Sequence, residues 1–215
     1  MMKHYASQKQ DLFAYYLLGK NKTFLDLGCW DPIHCNNTYL LEQNGWSGLL
    51  FDTDRSAISS CKIKRPNSKS FSVDVTSRDF LDILLKECPS KHFDYVSLDV
   101  DDASLIVLSN YLLSGFTFNC MTFEHDYYRL FDSLKTPSVR LLESFGYIRV
   151  FDNVITFPTH CKESMKKYPD GQIFEDWWIN PKYFDSDVLQ LKSSNVTFEE
   201  CIRKLENLKM EKKEK

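Results

Sequence analysis

A chain of 215 residues with 43% hydrophobic and 27% charged side chains reads as one soluble domain with a substantial core. A formal net charge of −3 argues against a polyanionic partner such as nucleic acid, and no apolar run is long enough to span a membrane. The first residues, MMKHYASQKQDLF, lack the apolar stretch of a signal peptide, and seven cysteines without a C-x-x-C pair read as free thiols of an intracellular, cytoplasmic protein.

Ser7 is placed to cap a helix from about Gln8 to Leu18, with Gly19 near its end. Thr23 to Leu27 is an apolar strand that runs into the turn Gly28-Cys29-Trp30-Asp31-Pro32. A helix from Asn37 to Gln43 follows, then Gly45, then a second strand from Gly48 to Phe51 closed by Asp52. Strand, tight turn, helix, strand and acid is the pattern of a nucleotide-binding βαβ unit, and the spacing from Gly28 to Asp52 is close to the roughly 20 residues expected. Trp30 and Ile33 stand where a dinucleotide site has its second and third glycines, which leaves little room for a pyrophosphate. A nucleoside without phosphate fits better, and S-adenosylmethionine is the commonest such ligand.

Arg55 to Lys64 is helical by pattern and stops at Pro66; Ser70 to Val75 alternates as a third strand. Phe80, Ile83, Leu84 and Cys88 repeat at helical spacing. Phe93 to Leu98 is a fourth strand delivered into Asp99-Val100-Asp101-Asp102, and a helix carrying Leu105, Leu108 and Leu112 follows it. Thr117 to Phe123 is a fifth strand delivered into Glu124-His125-Asp126. After a helix from about Ser138 to Phe145, two strands, Tyr147 to Phe151 and Val154 to Phe157, flank Asp152-Asn153 and read as a hairpin. From His160 to Gly171 the chain is polar. Trp177 and Trp178 are placed either to stack on a sugar ring or to pack as a C-terminal lid. Thr197 and Glu200 form a capping box ahead of an amphipathic helix that ends in a charged tail.

This alternation predicts an α/β Rossmann-like fold: a mostly parallel, seven-stranded sheet with helices on both faces and a C-terminal antiparallel hairpin. Residues 1–185 would form the domain, with 20–158 as its core, and 186–215 a helix and tail. Right-handed crossovers collect Asp31, Asp52, Asp74, Asp99 and Glu124 on one edge of the sheet.

Four stretches resemble the FkbM-like family of S-adenosylmethionine-dependent methyltransferases. Ser7-Gln8-Lys9-Gln10-Asp11 is similar to its S-Q-x-x-[ED]. Phe24 to Asp31, followed by Asn37-Thr38-Tyr39-Leu40-Leu41-Glu42 and Gly45-Trp46-Ser47-Gly48, is similar to F-x-D-x-G, N-T-Y-x-L-E and G-W-x-G. Asp94 to Asp101 resembles D-x-x-S-I-D-V-E, and Phe123-Glu124-His125-Asp126 resembles V-E-H-N. Phe174 to Trp178 echoes F-E-D-W. The chain departs from the family at Pro32 and Asp102, where glycines are usual, and at Asp52, where Glu is usual.

The resemblance implies a class I methyltransferase fold and transfer of a methyl group to a hydroxyl of a sugar, within a glycan, for instance a deoxyhexose such as rhamnose. A non-sugar small molecule as acceptor, or a binding module without catalysis, are the alternatives. Gln8, Asp26, Gly28, Asn37, Thr38, Asp52, Asp74, Val75 and Asp99 fall to the cofactor. Within that set, Asp52 would take the ribose hydroxyls, Asp74 and Val75 the adenine, and Asn37 and Thr38 the carboxylate at a helix N-terminus. Asp99, Asp101, Glu124 and His125 face the transferred methyl. His125 is placed as general base with Glu124 or Asp99 orienting it. Equally, Asp99, Glu124 and His125 are candidates to hold a divalent cation, Mg²⁺, Ca²⁺ or Mn²⁺, that acidifies the acceptor.

Overall fold

The computed structural model describes residues 2–157, 166–168 and 171–214. Helix α1 (Gln10–Leu18) precedes β1 (Thr23–Leu27), α2 (Tyr39–Gln43) and β2 (Ser47–Asp52). α3 (Arg55–Lys64), β3 (Lys69–Ser72), α4 (Arg78–Glu87) and β4 (His92–Leu98) continue the alternation. α5 (Ser104–Leu113), β5 (Thr117–Glu124), α6 (Tyr127–Leu130) and α7 (Asp132–Ser144) follow. The chain closes with β6 (Ile148–Thr156), β7 (Gln172–Ile179), α8 (Ser186–Leu189), β8 (Ser193–Ser194) and α9 (Phe198–Glu214).

The sheet has eight strands in the order β3-β2-β1-β4-β5-β7-β6-β8. β1 to β5 pair in parallel, whereas β7 is antiparallel to both β5 and β6. The parallel strands are apolar on both faces because helices cover both. One layer packs Leu12, Phe13, Trp46, Cys201 and Leu205 against Leu50 and Phe151; the other packs Phe80, Leu84 and Leu108 against Leu27, Phe51 and Phe118.

Three local expectations need correction. Ser7 does not cap α1: the N-cap is Lys9, left-handed at φ 61° and without a side-chain cap bond. The preceding turn is held instead by Asp11 and Gln10, which accept from the N–H groups of Tyr5, Ala6 and Gln8. Residues 147–157 are not a hairpin. Asp152 and Asn153 lie inside the single strand β6, where Asn153 takes φ 52° and the pairing with β7 shifts register, so the turn-like residues mark an irregular strand. Trp177 and Trp178 are neither lid nor sugar platform. They are consecutive residues of β7, fully buried, and strand alternation sends them into opposite layers of the core.

The Thr197–Glu200 capping box is present, with reciprocal N–H bonds of 3.0 and 3.3 Å, and α9 buries Cys201, Ile202 and Leu205 in the layer that also holds α1. His160 lies outside the described residues.

Candidate active site

All the parallel strands end on the same edge, and there a cavity of about 510 Å³ opens, lined by Gly28, Asp52, Asp74, Val75, Asp99 and Asp101 among others. Six of the residues singled out in the sequence therefore meet in one cleft. Gly28 makes this convergence possible. It sits at φ +88°, and a Cβ there would stand 1.8 Å from the carbonyl oxygen of Asp99, so the tips of β1 and β4 close up only over glycine.

Asp52 is held rigidly. Its Oδ2 accepts from the N–H of Trp30 and its Oδ1 from that of Asp54, each at 2.8 Å. Each oxygen keeps lone-pair capacity for a further donor. Asp74 accepts from both the hydroxyl and the N–H of Thr76, bonds that hold its carboxyl below the usual range. Val75 is buried beside it and offers an apolar contact.

Asp26 and Thr38 do not line the cleft; they belong to a buried network that the sequence reading missed. Arg65, fully buried at the end of α3, pairs with Glu42 at 2.6 Å and donates to Pro32, Asn36 and Thr38. Thr38 in turn donates to Asp26 at 2.7 Å, and burial pushes the Asp26 carboxyl up to about 6. The N–H of Thr38 is taken by Asn36, and α2 is a single short turn, so this helix start does not offer the free donors expected for a carboxylate. Asn36, Thr38 and Glu42 thus serve to tie the loop after β1 to Arg65. Asn37 donates to Ser97, and its buried Oδ1 has no hydrogen-bond partner among the described residues; the same holds for Oε1 of Gln8.

At the tips of β4, β5 and β7 the carboxyl groups crowd together. Glu124 hydrogen-bonds both Asp99 and Asp126, and it faces Glu175 in register across β5 and β7. Burial, then the charges of Asp99 and Asp126, push Glu124 well above the usual carboxyl range. Burial likewise raises Asp99 to about 6. On the rim, Arg129 bonds Asp101 at 2.9 Å, Asp102 at 3.2 Å and Asp126 at 2.7 Å, which ties the loop after β4 to the loop after β5.

His125 is not in the cleft. Residues 124 and 125 leave the strand in opposite directions; Glu124 goes to Asp99 and the fully buried ring of His125 goes the other way. There Nε2 stands 3.5 Å from Asp176 Oδ1, and Nδ1 accepts from the N–H of Tyr127 at 3.3 Å. Burial opposes ionisation of Asp176, yet His125, Arg149 and the N–H of Asn153 outweigh it and hold the carboxyl below its usual range. The ring is neither a base facing the methyl nor a third ligand beside Asp99 and Glu124. Among the described residues no group of three His, Cys, Asp or Glu is set to hold a metal ion.

The fold and this cleft place the chain in a class: it has the α/β Rossmann-like fold of S-adenosylmethionine-dependent methyltransferases. It is similar to the N-methyltransferase NodS from Bradyrhizobium japonicum WM9 (TM-score 0.53, 13% identity, 80% of this chain and 93% of that one). A candidate O-methyltransferase from Klebsiella pneumoniae aligns with TM-score 0.54 at 11% identity, over 84% and 83% of the two chains. A candidate rRNA methylase from Clostridium thermocellum aligns with TM-score 0.52 at 10% identity, over 83% and 97%. No family model matches the chain, and neither does any curated protein. At these identities the likeness is one of fold.

Proposed function

We propose that the protein is an S-adenosylmethionine-dependent O-methyltransferase, FkbM-like in the order of its motifs, that acts on a hydroxyl of a sugar within a glycan. The observation that carries this reading is the meeting of a backbone-locked ribose acceptor, Asp52, and a buried, proton-poised carboxyl, Asp99, in one cleft. Asp52 would hold the ribose diol, while Asp74 and Val75 would take the adenine. Bound S-adenosylmethionine supplies an electrophilic methyl on a sulfonium.

The protein's own task is to take the proton of the acceptor hydroxyl. Asp99 would do this: burial raises it to about 6, close to neutral pH, and the protonation of Glu124 that its upward shift favours would leave the Asp99 carboxylate to accept the proton. Asp101, pinned by Arg129, forms the rim over which the acceptor enters. Four acids around the cavity disfavour a phosphate-bearing acceptor and suit hydroxyl donors, which supports a sugar such as a deoxyhexose over nucleic acid.

The test is isothermal titration with S-adenosylhomocysteine, in parallel with NADH, each with and without EDTA. Saturable binding of S-adenosylhomocysteine that Asp52→Ala weakens is expected, and it leads to a screen of sugars as acceptors. Absence of binding in both metal conditions overturns the reading, and binding only without EDTA would add a divalent cation to it.

A further inference from the structure

Trp30 is unlike the other three tryptophans of the chain. Trp46, Trp177 and Trp178 are at most 1% exposed, whereas Trp30 is 60% exposed. It also sits at φ 39°, in the left-handed region that a bulky residue rarely enters. The backbone is held there by its own N–H, which donates to Asp52. Trp30 borders two hollows at once: the cleft of about 510 Å³ and a groove of about 220 Å³ beside Asp54 and Ser56 at the start of α3. A large apolar ring is thus kept in a strained turn, out of the core, at the wall of the cleft. Strain of this kind persists where surrounding bonds fix it and clusters at ligand sites.

We propose that Trp30 is the outer wall of the nucleoside pocket and stacks against the bound adenosine moiety, so that it sets cofactor affinity. The bond between its N–H and Asp52 couples the ring to the acid that takes the ribose: the same turn presents both. Phe51 lines the same cavity, but its ring is engaged with Phe71 and Phe80, at 5.1 and 5.0 Å between centroids, which leaves Trp30 as the aromatic face open to a ligand. This rests on the cleft binding S-adenosylmethionine, as proposed above.

Three proteins decide it: wild type, Trp30→Phe and Trp30→Ala, with folding checked by far-ultraviolet circular dichroism. Tryptophan emission of the wild type should shift to the blue and change intensity on titration with S-adenosylhomocysteine, because the exposed ring becomes covered. Trp30→Phe keeps an aromatic face and should bind within about threefold of wild type by calorimetry while losing the emission change. Trp30→Ala should bind about tenfold more weakly, the loss expected when a base loses its aromatic stacking partner. Wild type that binds S-adenosylhomocysteine while Trp30→Ala binds it equally well overturns the role of Trp30 and leaves the cofactor reading standing. If Trp30→Ala keeps that affinity but loses turnover, the ring serves the acceptor and the proposal is equally overturned. Wild type that does not bind at all removes both.

Discussion

Asp52 and Asp99 line the same cleft, and the roles proposed for them are separable by experiment. Asp52 has both oxygens tied to backbone N–H groups, so its geometry is set before a ligand arrives. Asp52→Ala should weaken S-adenosylhomocysteine by about tenfold or more in calorimetry, since a charge-assisted hydrogen bond is worth ~1.5–3 kcal/mol. Asp99→Asn should leave that affinity within a small factor and lower kcat by about 10²–10⁴-fold, the range for loss of a general base. In the wild type kcat should rise with pH through about 6, as Asp99 sheds its proton. A kcat that is flat across that range, or an Asp99→Asn variant with full activity, would exclude Asp99 as the base. These acids were legible in the sequence because each follows an apolar strand, and the fold must bring such strand ends to one edge. Arg65, Arg129 and Asp176 were not. Arg65 and Asp176 answer partners that only a crossover or a strand insertion brings close; Arg129 has Asp126 three residues before it, but its bonds to Asp101 and Asp102 depend on two strand tips meeting. The orientation of His125 is set by strand parity, which sends it away from the neighbouring Glu124 however close the two stand in sequence.

Among the elements, the loop between β1 and α2 shows how a motif that looks ligand-binding can be architectural. Asn36, Thr38 and Glu42 all hold Arg65, whose side chain is fully buried. Breaking a buried pair leaves an uncompensated charge, so Arg65→Ala should cost about 3–5 kcal/mol in urea unfolding. Gly28 lies on the loop that Arg65 anchors, so cofactor affinity should fall as well. Unchanged stability would mean that water replaces the guanidinium without loss. Most of the parallel half was readable: β1 has the predicted bounds because an apolar run bounded by turns leaves little choice, and α3 has them too, whereas β3 ends at Ser72, three residues before the expected Val75. The antiparallel end was not. β7 is a central strand, yet it carries Glu175 and Asp176, which contradict the pattern of a buried strand, and β6 carries a turn-like Asp-Asn pair. Both violations have structural causes: Glu175 joins the carboxyl cluster, and Asp176 serves His125, Arg149 and the N–H of Asn153.

At the level of the whole molecule, the site edge stores a set of carboxyl groups that would rather be protonated. Burial raises Asp26 and Asp99 to about 6 and Glu175 to about 8, and raises Glu124 well above its ordinary value. The sign of the effect on stability is fixed by which state binds more protons. Unfolded, Glu175 releases its proton near 4.5; folded, it keeps it to about 8. Between those values the folded chain binds the extra proton, so its stability falls as pH rises through that window and is fully recovered below it. Asp176 is shifted the other way, but its contribution is lost only when pH drops below the ordinary carboxyl range, outside this window. Thermal unfolding should therefore show a higher Tm at pH 6 than at pH 8, a window in which salt-bridged acids such as Asp176 add no slope. Glu175→Gln keeps the shape and the contact with Gln10 while removing the ionisation. It should raise Tm at pH 8 by roughly 2–4 °C, the shift that about 1 kcal/mol produces in a domain of this size, and flatten the pH dependence. A Tm that climbs from pH 6 to pH 8, with the variant tracking the wild type, would mean that the cluster is hydrated and its protons are released in the folded state as readily as in the unfolded one. The base assigned to Asp99 would then lose the protonated neighbour on which it depends.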